Sequence, residues 1–180
     1  MLTLIIGGVR SGKSTYAEKL AAHSHSQTDS LYYIATSVNT DEEMNERIIK
    51  HKKARKEAPQ QWIVFERPTR PSSIKLQQRG TVLLDCVTTW TANEWMEKIE
   101  SETMDELVTR MVTEVEKMMQ STEHLILVSN DLFSDAMKFE PAIQEFLQLI
   151  GKLHQQLVKK ADRAVKMEFS YPQIKKGRIL

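Results

Sequence analysis

Eight consecutive residues near the beginning of the sequence constrain this chain more than any other feature. The stretch fits the pattern G-x-x-x-x-G-K-[ST], the phosphate loop or Walker A motif. It consists of Gly7, Gly8, Val9, Arg10, Ser11, Gly12, Lys13 and Ser14. Residues 2–6 before it form an apolar run typical of a buried strand, and residues 14–23 after it are typical of a helix. A strand, this loop and a helix in this order predict a site for a nucleoside triphosphate.

Each part of the motif has a defined task at the phosphates. The glycines let the main chain turn so that successive N–H groups point at one phosphate, and the positive end of the helix dipole adds to the attraction. Lys13 is expected to reach the β- and γ-phosphates, and Ser14 is expected to bind Mg²⁺. The sequence therefore predicts Mg²⁺ as cofactor and a nucleoside triphosphate as substrate.

Length and composition narrow the class of protein. At 180 residues the chain is long enough for one well-buried core and short for two, so we predict a single nucleotide-binding domain over residues 1–180. A net charge of +1 argues against a dedicated nucleic-acid surface, and no apolar run approaches the length of a membrane span. One cysteine excludes an intrachain disulfide framework, and no signal-peptide pattern is present. We expect a cytoplasmic protein.

Apolar strands alternate with helical segments along the rest of the sequence, which predicts an α/β fold with a mostly parallel sheet flanked by helices. One alternating strand over residues 165–171, with Phe169 and Tyr171 on its apolar face, is expected to close the sheet, either parallel or antiparallel. The other strands are predicted at 31–35, 62–66, 81–85 and 125–129, and the helices at 40–56, 88–99, 104–119 and 141–161, with a short helical piece from 71 to about 78.

The carboxyl ends of the predicted strands supply further candidate residues, because ligands bind at this edge of an open parallel sheet. Asp85 closes an apolar strand as a Walker B carboxylate does, and is expected to hold Mg²⁺ together with Ser14. Cys86 is expected to pack rather than react, and His154 to be a hydrogen-bonded core residue. The nucleotide-binding candidates at this edge are Ala35, Thr36, Ser37, Glu66 and Asp85.

A basic helix face is the second informative feature. Arg47, His51 and Arg55 recur every four residues, so they share one face of the helix predicted over 40–56. Nearby cations disfavour protonation of an imidazole, so His51 should be neutral and nucleophilic at pH 7. The same cations would attract a triphosphate. A solvated basic helix that happens to contain a histidine has the same spacing, and spacing alone favours that second interpretation.

Several patterns occur together in one known family. The loop carries an arginine at Arg10, the second strand ends Tyr-Ile-Ala-Thr over residues 33–36, and residues 41–44 fit Asp-x-Glu-Met. Residues 47–55 fit Arg-Ile-x-x-His-(Lys/Arg)-x-x-Arg, and residues 85–93 closely match Asp-Cys-Leu-Thr-x-Trp-x-x-Asn. These patterns resemble the bifunctional adenosylcobinamide kinase/adenosylcobinamide-phosphate guanylyltransferases of cobalamin assembly.

The resemblance implies a specific chemistry. It implies a RecA-like P-loop fold, a homotrimer, and two substrates, GTP or ATP and a corrinoid. It makes His51 the residue that becomes guanylylated, so the implied catalytic residues are His51 and Lys13. One activity would phosphorylate adenosylcobinamide, and the other would transfer GMP from GTP to adenosylcobinamide phosphate. The implied nucleotide-binding set also gains the residues after His51, which are Lys52, Lys53, Ala54 and Arg55.

The correspondence is continuous over about the first half of the chain. After the fifth strand the family has a glycine-rich loop, whereas residues 134–140 here contain no glycine. Two other interpretations stay open: an unrelated small-molecule kinase in which His51 is incidental, and a nucleotide-binding protein that has lost one or both activities. For the general base of the kinase step, the sequence offers Glu66 and Asp85 as candidates only.

Overall fold

A computed structural model of the chain describes residues 1–24, 30–37, 61–98, 101–133 and 140–178. The strands in these ranges are β1 (Leu2–Gly7), β2 (Ser30–Ala35), β3 (Trp62–Glu66), β4 (Gly80–Asp85), β5 (His124–Asn130), β6 (Arg163–Glu168) and β7 (Tyr171–Lys176). The helices are α1 (Lys13–Ser24), α2 (Val87–Glu97), α3 (Met104–Ser121) and α4 (Pro141–Lys160), with one 3-10 turn at Pro71–Ser73.

The described strands form one seven-stranded sheet in the order β3-β2-β4-β5-β1-β6-β7. Strands β1 to β6 run parallel, and β7 returns antiparallel to β6 at the edge. Because β1 and β4 run in the same direction, the phosphate loop after β1 and the carboxylate that ends β4 lie at the same edge of the sheet, with β5 between the two strands. The predicted α/β fold with a mostly parallel sheet is confirmed.

Helices cover both faces of the sheet, and alternate residues of the strands point to opposite faces. Leu4 of β1 faces the larger core, which contains Trp90 of α2, Met111 of α3 and residues of α4. Ile5 faces the smaller core formed with α1. The face of α3 that carries Met111 and Met118 is therefore part of the core. None of the described helices combines the length and the apolar character needed to cross a membrane.

The single strand predicted over residues 165–171 is wrong. Strand β6 ends at Glu168, the chain turns at Phe169 and Ser170, and β7 begins at Tyr171. Both turn residues have left-handed φ, at 49° and 63°, as in a two-residue hairpin turn of the type usually made by Asn-Gly. Phe169 is fully exposed and Tyr171 is 72% exposed. The apolar alternation thus continues across a turn that carries none of the usual turn residues.

Other predictions differ in detail or fall outside the described ranges. The helical piece after Pro71 ends at Ser73. The helical spacing of its apolar residues places Ile143 with the inward face of α4, but Ile143 is 45% exposed, because burial along α4 begins only at Phe146. The helix predicted over 40–56 lies in residues 38–60, which the structure does not describe.

Two buried histidines predict that the protein loses stability in acid. His154 lies 2.7 Å from the Ser129 hydroxyl, which confirms the expected hydrogen-bonded core histidine, and His124 lies 3.1 Å from the Thr3 hydroxyl. Burial lowers the pKa of each histidine to about 4. The unfolded chain takes up these protons near pH 6.5 and the folded chain does not, so the free energy of unfolding should fall as the pH is lowered from about 6.5 towards about 4.

Urea unfolding followed at several pH values from about 7 to about 5 checks this prediction. His154→Gln, which removes one of the two titrating groups, should show a weaker pH dependence of the unfolding free energy than the wild type. His23, which is exposed on α1, provides the matched control, since His23→Gln should keep the wild-type dependence. Equal pH dependence in the wild type and His154→Gln would contradict the assignment.

Candidate nucleotide-binding site

The loop between β1 and α1 folds into a concave turn that ends at the N-terminus of α1. Its main chain is closed by a hydrogen bond from Ser11 N to Gly8 O, at 3.2 Å. Lys13 is the first residue of α1, and its ammonium group donates to the same Gly8 carbonyl at 3.1 Å. A helix N-terminus and an ammonium group therefore lie at one loop, which is the arrangement that binds phosphate.

Two glycines of the motif are required by close approaches. Gly12 has a φ of 84°, and a Cβ added there would lie 2.8 Å from the Ser170 hydroxyl. A Cβ added at Gly7 would lie 2.7 Å from the Met167 carbonyl oxygen. Both neighbours belong to the hairpin of β6 and β7, so the far end of the chain forms one wall of the phosphate loop.

Asp85 ends β4 beside the phosphate loop, where a Walker B carboxylate is expected. It is half-buried, and the Tyr33 hydroxyl donates a hydrogen bond to its Oδ2 at 3.0 Å, which fixes the orientation of the carboxylate. Helix α1, which carries Ser14 in its first turn, packs on β4 and β5. The hydroxyl and the carboxylate are hard oxygen donors of the kind that Mg²⁺ prefers.

The donor set fits an ion that also binds substrate phosphates. Within the part of the chain that the structure describes, no group of three or more His, Cys, Asp and Glu side chains could hold a metal. Mg²⁺ commonly uses one or two carboxylates together with phosphate oxygens and water. Ser14 and Asp85 match this requirement.

The ends of β2, β3 and β4 are tied together by Thr36 and Asn93. The buried Thr36 hydroxyl donates to Cys86 O and accepts from Cys86 N, both at 2.8 Å. The Asn93 amide on α2 donates to Thr36 O at 2.9 Å and to Pro68 O at 3.0 Å. Because the Thr36 hydroxyl is used inside the protein, a side-chain contact of this stretch with a nucleotide would have to come from the half-buried Ala35 or Ser37.

Strand β3 ends at the exposed Glu66. The segment that follows β3 is held by a buried carboxylate, that of Glu94. Glu94 is 2% exposed, accepts from Arg70 N at 2.7 Å and from the Trp90 indole at 2.9 Å, and pairs with Arg110. Burial acts to raise the pKa of Glu94, but these hydrogen bonds outweigh it and hold the pKa below its usual value. The carboxylate is therefore ionised and fixes the turn at Arg70.

Cys86 packs, as expected. Its thiol lies 3.1 Å from the Thr89 hydroxyl, and burial, assisted by the neighbouring charge of Asp85, raises the pKa of the thiol. A thiol with a raised pKa is protonated at neutral pH and is a poor nucleophile. We therefore assign no catalytic role to Cys86.

The remaining predicted residues lie outside the described ranges. His51 belongs to residues 38–60, as do the four candidates after it, which are Lys52, Lys53, Ala54 and Arg55. The structure therefore places the Walker A loop, Asp85, Glu66 and the end of β2 at the same edge of the sheet, with Glu66 on the outermost strand, and the placement of the basic helix stays a prediction.

Three residues with clear tasks at this edge were not among the predicted site residues: Tyr33, Asn93 and Ser170. Asn93 had a usable signal, since it belongs to the pattern that begins at Asp85 and lies on the helix that follows it. Tyr33 had the same kind of signal, since it begins the Tyr-Ile-Ala-Thr pattern over residues 33–36. Ser170 had none, because its contact to the phosphate loop depends on how distant strands are ordered in the sheet.

Comparisons with known proteins agree with this geometry. The chain matches the family model described as cobinamide kinase / cobinamide phosphate guanyltransferase over residues 3–173. It is similar to the bifunctional adenosylcobalamin biosynthesis protein CobP of Pseudomonas aeruginosa, with 29% identity over 100% of both chains. It is also similar to the bifunctional adenosylcobalamin biosynthesis protein CobU of Escherichia coli, with 28% identity over 90% of this chain and 92% of the relative.

Among solved structures, the chain is similar to the flagellar accessory protein FlaH from Methanocaldococcus jannaschii. The TM-score is 0.48 at 13% identity, covering 98% of this chain and 78% of that chain, a likeness that supports no functional conclusion. The family match covers residues 3–173. It therefore extends well beyond the first half of the chain, where the motif resemblance lies. The chain is a member of the cobinamide kinase / cobinamide phosphate guanyltransferase family.

Proposed function

We propose that this protein phosphorylates adenosylcobinamide and then transfers GMP from GTP to adenosylcobinamide phosphate, in the assembly of the nucleotide loop of cobalamin. The observation that carries the proposal is the family match over residues 3–173, which spans an intact Walker A loop with Lys13 at the helix N-terminus and Asp85 at the end of β4. The same arrangement in a chain without this match would support triphosphate binding alone.

In the kinase half-reaction, a hydroxyl of adenosylcobinamide attacks the γ-phosphorus, forming an O–P bond as the bond between the γ-phosphorus and the bridging oxygen breaks. Lys13 and the loop N–H groups stabilise the charge that gathers on the γ-phosphoryl oxygens and the leaving diphosphate. Ser14 and Asp85 would hold Mg²⁺, which neutralises phosphate charge when bound. Asp85 accepts a hydrogen bond from Tyr33 and Glu66 is exposed, and both stay candidates for the general base.

In the transferase half-reaction, a neutral His51 attacks the α-phosphorus of GTP and displaces pyrophosphate, leaving GMP joined to the imidazole through a P–N bond. A phosphate oxygen of adenosylcobinamide phosphate then attacks the same phosphorus, the P–N bond breaks, and adenosylcobinamide-GDP is formed. The motif match at residues 47–55 supports this role of His51. The homotrimer and the choice between GTP and ATP as phosphoryl donor stay predictions.

Parallel incubations with α-labelled and γ-labelled GTP, each with Mg²⁺, test the proposal. We expect the α-label to enter the protein through an acid-labile, base-stable bond, and to leave it when adenosylcobinamide phosphate is added. When adenosylcobinamide is added to the second incubation, we expect the γ-label to move to it and not to stay in the protein. Tight GTP binding without either transfer would favour a nucleotide-binding protein that has lost both activities.

A further inference from the structure

An aromatic residue stands fully exposed in the turn between β6 and β7. Phe169 has 100% of its surface exposed, and Tyr171, two residues further on, is 72% exposed. Exposing a whole aromatic ring to water forgoes the stabilisation that burial of such a side chain provides. Nothing in the described part of the chain covers Phe169.

The backbone of this turn is also costly for the residues it contains. Phe169 and Ser170 both have left-handed φ, at 49° and 63°. A hairpin turn of this type is most easily made by asparagine and glycine, and a bulky side chain at positive φ is a true outlier. Strained backbone of this kind concentrates at functional sites, where the surrounding structure holds it in place.

The turn is fixed directly to the phosphate loop. Ser170 N donates a hydrogen bond to Ser11 O at 3.0 Å. The Ser170 side chain lies so close to Gly12 that a Cβ there would be 2.8 Å from its hydroxyl. The backbone of the turn that carries Phe169 is therefore fixed to Ser11 and Gly12, the two residues that precede the motif lysine, Lys13.

We infer that Phe169, assisted by Tyr171, is the surface on which the base of the bound nucleoside triphosphate stacks. This inference rests on the proposed function and adds a specificity-determining residue to it. A purine offers a flat π face, and stacking on an aromatic ring is the ordinary way in which proteins hold an exposed base. The phosphates lie in the Walker A loop, so the base lies within reach of a ring anchored to that loop.

The surroundings of the ring fit a small flat ligand better than a second protein. Glu168 comes before the turn, and the strand that follows it ends in the exposed Lys175 and Lys176. Protein partners bind through contiguous apolar patches with charged residues depleted from their centre. Two aromatic rings among charged side chains do not form such a patch.

Binding of two ligands, GTP and inorganic tripolyphosphate, each with Mg²⁺, tests the inference. Phe169→Ala should weaken GTP binding about 10-fold or more, and should leave tripolyphosphate binding unchanged, because only GTP has a base to stack. Phe169→Tyr should keep wild-type affinity for both. Met96→Ala is the matched control, since Met96 is 82% exposed on α2, and both of its affinities should equal those of the wild type.

Three results would overturn the inference: an unchanged GTP affinity in Phe169→Ala, an equal loss of affinity for both ligands, or a wild type that binds GTP no more tightly than tripolyphosphate. Sedimentation separates a subunit contact from a base contact, because a variant that dissociates while keeping its preference for GTP would place the ring in an interface. The proposed function fails separately, through absence of transfer from labelled GTP in the wild-type protein.

Discussion

His51→Ala is expected to abolish incorporation of the α-phosphate of GTP into the protein, while phosphorylation of adenosylcobinamide persists. The P–N bond needs the imidazole nitrogen as nucleophile, whereas transfer of the γ-phosphoryl group is proposed to depend on Lys13 and on Mg²⁺, which Ser14 and Asp85 would hold. Acid-labile protein label, mapped by mass spectrometry to the peptide that contains residue 51, measures the first reaction. Label on adenosylcobinamide from γ-labelled GTP measures the second.

The other histidines provide controls for this result. His124 and His154 are buried and hydrogen-bonded to hydroxyl groups, so neither is placed to attack a phosphorus atom. His23 is exposed on α1, and His23→Ala should incorporate as much label as the wild type. Label that persists in His51→Ala would refute the assignment.

Lys13→Ala is expected to lower both half-reactions by about 100-fold or more, because removal of one preorganised charge donor to a reacting group costs this much in comparable sites. The fold should be retained, since the ammonium group bonds to Gly8 O within its own loop. Lys19→Ala, an exposed position on the same helix, is the matched control and should keep wild-type rates. Rates of γ-transfer and of α-label incorporation, with circular dichroism of each variant, are the measurements.

Wild-type activity in a folded Lys13→Ala variant would refute the Walker A assignment. Taken together, the two variants separate the reactions: Lys13→Ala should lose both, and His51→Ala only the transfer of GMP. An unrelated kinase with an incidental His51 would lose γ-transfer in Lys13→Ala and show no difference between His51→Ala and the wild type. The pattern of losses therefore distinguishes the interpretations that the sequence left open.

The buried part of the fold was predictable because its signals are local. Strand β3 has the predicted bounds, Trp62–Glu66, and the apolar runs of β1, β4 and β5 differ from prediction by a residue at one or both ends. The β6–β7 hairpin was not predictable, because Phe169 and Ser170 carry neither the glycine nor the asparagine that marks such turns. An alternation of apolar and polar residues looks the same in a straight strand as in two strands joined by a two-residue turn.

The candidate site likewise contains residues that were predictable from the sequence and residues that were not. The Walker A loop and Asp85 follow from short motifs, since each is made by neighbouring residues. The contacts from Tyr33 to Asp85 and from Ser170 to Ser11 join segments that are distant in sequence, and only the strand order brings them together. The role of His51 came from the resemblance, because its spacing with two arginines is also that of a solvated helix.

The antiparallel edge strand β7 has a consequence for self-association. Pro172 lacks an N–H to offer a further strand, and the strand ends in Lys175 and Lys176. Prolines and lysines on an edge strand oppose pairing with the edge of another molecule, which is how natural sheets avoid aggregation. If the protein assembles as a trimer, its subunits are therefore expected to join through side chains and loops, and not by extending the sheet from one subunit into the next across β7.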